Sequence, residues 1–327
     1  MSRPVPLVRV VRSGLEESVH LGHVAVCDAD GRLVAATGDP HRRVFARSSM
    51  KPLQAAVSLR AIGTGPTEVQ VAVMCASHNG EPVHVEAVRS LLASAGLDVS
   101  ALRNPPGWPL DAESMAAAGH ARPELHNCSG KHAGMVVACA SAGWDLETYL
   151  RAGHPLQRRV FRAVRRATGL EDIHVGVDGC GVPVHGMPLS AMATLFARLT
   201  EPSRLGDLAS QIDRCTLAMR AEPYLVAGRS RTDTALMQAC GNVVAKTGAE
   251  ALACAGVVGP GLGIAVKVED GGERASGPAL IRALAALGFL SEEQLRRLDP
   301  IARRPVMGGA RRVGDVVADF RLRRPRG

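Results

Sequence analysis

The apolar positions change period several times along the chain. Residues 5–11 and 24–27 read as strands, and Asp28-Ala29-Asp30-Gly31 makes a turn into a returning run at 33–36, so a hairpin is predicted. Leu53, Ala56, Val57 and Ile62 then recur at helical spacing behind Pro52, which a first turn tolerates. The apolar run 69–75 fits a strand or a helix equally. Residues 83–95 predict a helix closed by Gly96, 133–142 another ending near Gly143, and 156–167 an amphipathic basic helix. A strand at 173–177 runs into Asp178-Gly179-Cys180-Gly181. Helices follow at 189–199, 205–221 and 234–240, then strands at 243–247, 252–258 and 264–268, and closing helices at 278–287 and 292–298. Short turns join the last three strands, so the fold class expected is α/β with a mainly antiparallel central sheet flanked by helices. No repeat and no Pro/Ser-rich linker interrupts the chain. One continuous catalytic domain over 1–327 is expected, with a basic tail from about residue 303.

Composition narrows the class. At 327 residues with 46% hydrophobic and 3% aromatic content, Ala, Val and Leu must do most of the packing. The net charge of +8 raises the question of nucleic acid, but the arginines are scattered apart from clusters at 158–166 and beyond 303, and aromatics for base stacking are scarce. No nucleic-acid partner is expected. Neither a signal-peptide core nor an apolar run of membrane-spanning length occurs, so no membrane association is expected. Eight cysteines without a secretory signal read as reduced thiols in a cytoplasmic protein, six of them (Cys27, Cys75, Cys139, Cys215, Cys240 and Cys254) as small buried hydrophobes.

Lysine is rare in a chain that uses arginine freely. Only Lys51, Lys131, Lys246 and Lys267 occur, and three of them fall in short motifs rich in Ser, Gly, Cys or Thr. An amine can lose its proton and act as a base, which a guanidinium cannot. Ser48 and Lys51 are three apart, so on a helix they share a face, and a lysine kept neutral can take the proton of a serine nucleophile. Ser77-His78-Asn79 and Lys246-Thr247-Gly248 follow in order. Together these boxes resemble those of penicillin-recognising serine enzymes. In that arrangement Ser77 relays or holds a proton between two amines, and Lys246 keeps Lys51 neutral by like-charge repulsion.

Five longer motifs narrow the resemblance: FARSSMKPLQ at 45–54, CASHNGE at 75–81, HNCSGKHAGM at 126–135, DGCG at 178–181 and VAKTGAE at 244–250. From about Val10 to Leu287 the chain resembles the asparaginase II family of the rhizobial, thermolabile type. The resemblance implies hydrolysis of L-asparagine to L-aspartate and ammonia in a fold similar to serine β-lactamases and glutaminases. It implies a catalytic set of Ser48-Lys51 and Ser77-Lys246, a metal site at Cys128, Lys131 and Cys180 with Zn2+ the expected ion, and a homodimer. Arg47, Asn79, Asp178 and His132 are the candidate substrate-binding residues; a zwitterion needs a cation for its carboxylate and an anion for its ammonium, which Arg47 and Asp178 would supply. One departure is Ala251 after Glu250, where the pattern leads one to expect glycine. The alternatives are a glutaminase or a penicillin-recognising serine hydrolase or peptidase, disfavoured by the absent export signal and the free thiols. A non-enzymatic amino-acid sensor ranks last, because every box is intact.

Overall fold

In the computed structural model, which describes residues 3–325, the N-terminal hairpin is β1 (Val5–Arg12) and β2 (Leu15–Asp28), followed by β3 (Leu33–Thr37) and the short β4 (Arg43–Phe45). A 3₁₀ turn, Arg47–Met50, leads into α1 (Lys51–Ile62), then α2 (Glu68–Met74), α3 (Pro82–Ala93), α4 (Ala112–Ala117), α5 (Ser129–Ala142) and α6 (Pro155–Thr168). Strands β5 (His174–Val177) and β6 (Pro183–Pro188) precede α7 (Leu189–Leu199), α8 (Ala209–Ala221), α9 (Pro223–Val226) and α10 (Thr232–Ala239). The chain closes with β7 (Val243–Gly248), β8 (Leu252–Val257), β9 (Leu262–Val268), α11 (Glu273–Ala286), α12 (Glu292–Ala302), β10 (Arg303–Gly308) and β11 (Arg311–Ala318). Among the described residues no helix is long and apolar enough to cross a membrane, and all eight cysteines are free and buried.

The contacts divide the chain into two compact units, each assembled from separated stretches. The first runs through Ser49, takes in Gly186–Glu201, and resumes from Ala235. It holds an antiparallel sheet in the order β10-β11-β1-β2-β9-β8-β7, with β3 also on β2. Every residue of β8 is buried, because helices cover the sheet and a two-sided strand must be apolar throughout. Gly256 and Gly263 pair across β8 and β9. A Cβ on either would run into the backbone of α7, at 2.4 Å from Phe196 O and 1.9 Å from Ala193 O, so this glycine pair lets α7 lie directly on the sheet.

The second unit comprises Met50–His185 and Pro202–Thr234 and is mainly helical. In it α1 packs on α5, α6 and α8, and α2 packs on α3, α5 and α8. Residues 51–59 of α1 and 129–139 of α5 are buried without a break, the mark of helices surrounded on all sides. The backbone of α5 approaches α2 closely: a Cβ on Gly130 would sit 2.1 Å from Val73 O, and one on Gly134 2.7 Å from Met74 Cε.

Three local expectations change. The ambiguous run 69–75 is helical, because Thr67 and Gln70 close a reciprocal capping box at its start. The helix expected over 205–221 is a 3₁₀ turn followed by α8, broken at Gly206 with φ 57° and ψ −120°. The basic stretch from 303 is the hairpin β10–β11, and β11 pairs with β1. Arginines on its outward positions concealed the strand pattern; Arg303 and Arg312 both pair with Asp315.

Candidate active site

Within the first unit, Ser48 is half-buried and Ser49 fully buried, and both follow Arg47, whose φ of 45° is left-handed. Such a conformation costs a non-glycine residue about 1–2 kcal/mol. The end of β7 lies against this turn: a Cβ on Gly248 would meet Ser49 Oγ at 3.1 Å, Arg47 Cβ at 3.2 Å and Ser48 N at 3.3 Å. Ser49 Oγ donates to Lys246 O at 2.9 Å. The Ser48 turn and the Lys246-Thr247-Gly248 box are therefore adjacent. Lys246 is fully buried, and its Nζ donates to Thr247 O at 2.8 Å. The turn after β7 holds Glu250 at φ 62° and Ala251 at φ 53°, which is the backbone that makes a glycine expected there.

Within the second unit, Lys51 opens α1 with its amine almost wholly buried. It donates to Ala76 O at 2.5 Å, to Ser77 Oγ at 2.8 Å and to Asn127 O at 3.3 Å. The turn that carries Ser77 is itself held. Ser77 N and Asn79 N donate to Val226 O and Ala227 O, and His78 N to Asn127 O. Ser129 Oγ gives its hydrogen to Glu124 O, so it must accept from His78 Nε2 at 2.9 Å, while His78 Nδ1 accepts from Gly80 N. That pair of bonds fixes His78 as the neutral Nε2–H tautomer. Burial pushes its pKa well below the usual histidine range, in the same sense.

Asn127 joins this pair to a cluster of thiols. Its side-chain amide lies 3.0 Å from Cys128 Sγ, while its carbonyl faces Lys51. Lys131 Nζ is 2.9 Å from Cys180 Sγ, and Cys128, Lys131 and Cys180 are all buried. The hydrogen bond from Cys180 holds Cys128 well below the usual thiol range against the effect of burial, with Lys51 and Lys131 adding to it. The same hydrogen bond and burial push Cys180 up. Burial opposes the Lys131 ammonium, but Cys180 and Cys128 together outweigh it and raise the amine. Among the described residues no three His, Cys, Asp or Glu side chains are grouped to hold a metal, so any ion here needs the lysine. The donor set suits one. Thiolates bind zinc strongly, and tetrahedral bonds of about 2.3 Å to sulfur and 2.1 Å to nitrogen set S and N about 3.6 Å apart, under 1 Å wider than the present pair.

The remaining candidates are placed as follows. Asp178 turns the chain ahead of Cys180; its carboxylate accepts from Gly179 N at 2.9 Å and faces Cys180 Sγ at 3.9 Å. His132 is fully buried, with Nδ1 2.7 Å from Tyr149 OH, which also accepts from Arg103 N. Its Nε2 has no partner among the described residues. Asn79 is buried in a network the sequence did not disclose. Its Nδ2 donates to Glu81 Oε1 at 3.1 Å and to Arg229 O at 3.0 Å, and its Oδ1 accepts from Arg231 at 3.0 Å. Both amide hydrogens are thus committed to the protein. Glu81 also accepts from Arg229 N and from Tyr224 OH. Burial of the Glu81 carboxylate is outweighed by these bonds, Tyr224 first, and its pKa falls. The only sequence signal for Glu81 was its place in the motif at 75–81; Tyr224 and Arg231 had none.

A family profile described as L-asparaginase II matches residues 8–318. No curated protein matches the chain. Among solved structures the chain is similar to a β-lactamase from Mycobacterium bovis, at 17% identity, covering 82% of this chain and 95% of that one, with a TM-score of 0.44. It is also similar to a Bacillus subtilis glutaminase in covalent complex with 5-oxo-L-norleucine, at 12% identity, covering 83% of this chain and 89% of that one, with a TM-score of 0.37. On the profile match, which spans nearly all of the described residues, the chain belongs to the L-asparaginase II family of amidohydrolases.

Proposed function

We propose that the protein hydrolyses L-asparagine to L-aspartate and ammonia, with Ser48 as nucleophile, as a homodimer in the cytoplasm. The observation that carries the mechanism is the Lys51 amine, buried and 2.8 Å from Ser77 Oγ. A serine–amine pair shielded from water is what proton transfer from a hydroxyl requires. Ser48 lies three residues before Lys51, at the start of a helix, where developing negative charge is favoured. Its Oγ attacks the side-chain amide carbon, and its proton passes to Lys51. Ser77 carries that proton on to the departing nitrogen, which leaves as ammonia, and an aspartyl ester remains on Ser48. Water then adds to the ester, gives its proton back through the same amine, and frees aspartate. Lys246 orients Ser77 and, by like-charge repulsion, favours loss of one of the three hydrogens the Lys51 amine donates, which leaves it a base. Arg47 grips the substrate carboxylate and Asp178 its ammonium. Asn79 and His132 support the site through their buried hydrogen bonds. Cys128, Lys131 and Cys180 would hold Zn2+, which when bound supplies a positive charge that holds or polarises the substrate.

Ammonia release from L-asparagine, L-glutamine and a dipeptide amide, beside hydrolysis of a chromogenic β-lactam, tests this reading. The expected result is turnover of L-asparagine, with L-glutamine slower by the roughly 10–200-fold that one methylene allows. Ser48→Ala should lose turnover and keep its fold. Near wild-type turnover in that variant, or a preference for the β-lactam, would remove the assignment.

A further inference from the structure

The second unit carries a cavity of about 520 Å³ that the asparaginase reading does not use. Its lining includes Arg60 from the last turn of α1, Arg159, Arg162 and Arg166 from α6, Trp144, and Asp207 from the 3₁₀ turn before α8. Four guanidiniums thus face one carboxylate. Other arginines of this unit also share a carboxylate or meet one singly, as Arg89 and Arg122 do with Glu124 and Arg103 with Glu147. In the cavity Asp207 serves Arg60, at 3.1 Å, and Arg166 together. Arg162 has no acidic partner among the described residues, and Arg159 is occupied by the ring of Trp144, 4.3 Å from its centroid, and by Pro155 O.

The arrangement follows from the sequence. Positions 159, 162 and 166 are spaced three and four apart, so they form one stripe along α6, about 10 Å from end to end. The neighbouring face of α6 is buried through Val160, Val164 and Ala167, so the helix cannot rotate to disperse the charges. Four cations gathered around the single carboxylate of the lining repel one another and concentrate a positive field in the concavity. The volume falls in the range of about 300–1,000 Å³ usual for small-molecule sites. Guanidinium forks match phosphate oxygens, and a 10 Å stripe is longer than one phosphate can span.

We infer that this cavity binds a small anion carrying two or more phosphate groups in a chain. Asp207 occupies part of the site as a built-in competitor and gives way when the anion arrives. The chemistry is shared by inorganic polyphosphate and by nucleoside polyphosphates, and Trp144 is the group that would tell them apart.

Titration calorimetry of the full chain, without magnesium and at about 150 mM salt to screen loose surface association, reads the site directly with tripolyphosphate and with ATP. Saturable binding of one tripolyphosphate per chain is expected. Arg162→Ala should weaken it at least fivefold, and Asp207→Asn should tighten it. Arg296→Ala, an exposed site on α12 with the same charge change, should leave it unaltered. Tighter binding of ATP, lost in Trp144→Ala, supports the site with a nucleotide as its source; equal affinities support it with the phosphate chain alone. The inference fails if tripolyphosphate shows no saturable binding, if Arg162→Ala and Arg296→Ala lose affinity equally, or if an RNA oligonucleotide displaces tripolyphosphate and binds more tightly. None of these outcomes depends on asparagine turnover.

Discussion

Lys51→Met separates the chemical role of the buried amine from its structural one. Methionine keeps the unbranched length of the side chain but removes its charge and its hydrogens. The amine donates to Ala76 O, Ser77 Oγ and Asn127 O. Asn127 O still accepts from His78 N after the change, at 3.2 Å, and the Ser77 hydroxyl can rotate. Ala76 O is the acceptor that loses most, and an unsatisfied buried carbonyl costs about 1–3 kcal/mol. Against this, the fold no longer has to bury an amine, which relieves a desolvation cost of several kcal/mol whenever that amine is charged. The two effects oppose each other, so stability should change by no more than about 2 kcal/mol in either direction. Turnover should behave differently. A positioned base contributes about 10²–10⁴-fold, so kcat should fall by about 10³-fold, equivalent to ~4 kcal/mol in the barrier. Urea unfolding followed by circular dichroism gives the first quantity and ammonia release the second. Lys51→Arg, which keeps charge and loses the base, should be as inactive as the methionine variant. Turnover within tenfold of wild type in either variant would refute the role of Lys51 as base. A stability loss beyond ~4 kcal/mol in Lys51→Met would show instead that the amine is chiefly a structural clamp.

Protein purified without a histidine tag should contain one zinc per chain by elemental analysis, and Cys128→Ala and Cys180→Ala should each lose it; a metal-free wild type indifferent to zinc and chelator would dispose of the site. Loading the metal-free protein should release protons, because Lys131 and Cys180 both have raised pKa values that a bound cation must overcome; calorimetry in buffers of different ionisation enthalpy reads that release. Glu250→Gly should raise stability by about 0.5–1 kcal/mol, since Glu250 is exposed at φ 62° and relief of about 1–2 kcal/mol exceeds the extra entropy of glycine; a lower urea midpoint would contradict it. Burial lowers His185 from 6.5 to about 4, so its contribution is whole above pH 6.5 and is lost as pH falls toward 4. His185→Gln should therefore flatten the stability profile over that window by about 3 kcal/mol, and an unchanged acid limb would refute this.

The parts of the site that were legible are those whose chemistry demands particular residue types. Ser48, Lys51, Ser77, Lys246 and the two cysteines stood out because amines and thiols were rare or oddly placed. Asn127 was visible only as a letter in its motif, since its link to Lys51 runs through a backbone carbonyl that any residue provides. Glu81, Tyr224 and Arg231 were silent because a buried carboxylate network is assembled by tertiary folding from residues that look like surface groups. The antiparallel sheet was readable from β7 to β9, where short turns join apolar strands. Its far edge was not, because β10 and β11 carry arginines that balance locally against Asp315 and so read as a charged tail. The expected glycine at 251 had a geometric cause: Ala251 has the left-handed backbone of a glycine while burying its methyl.

The contact of Gly130 with Val73 acts as a fixed gauge. Helix α2 ends at Met74, three residues before Ser77, and Gly130 sits between Cys128 and Lys131 in the first turn of α5. Backbone against backbone, with no side chain between, leaves nothing that a substitution could trim to bring the two helices closer, and even one added methyl would force them apart. The separation between the serine turn and the thiol cluster therefore has a single setting that cannot be adjusted in small steps. Of the intervening chain, α3 packs on both helices and buries five residues, whereas α4 buries none. Efforts to reshape this protein have room at α4, and none at the point where the two helices touch.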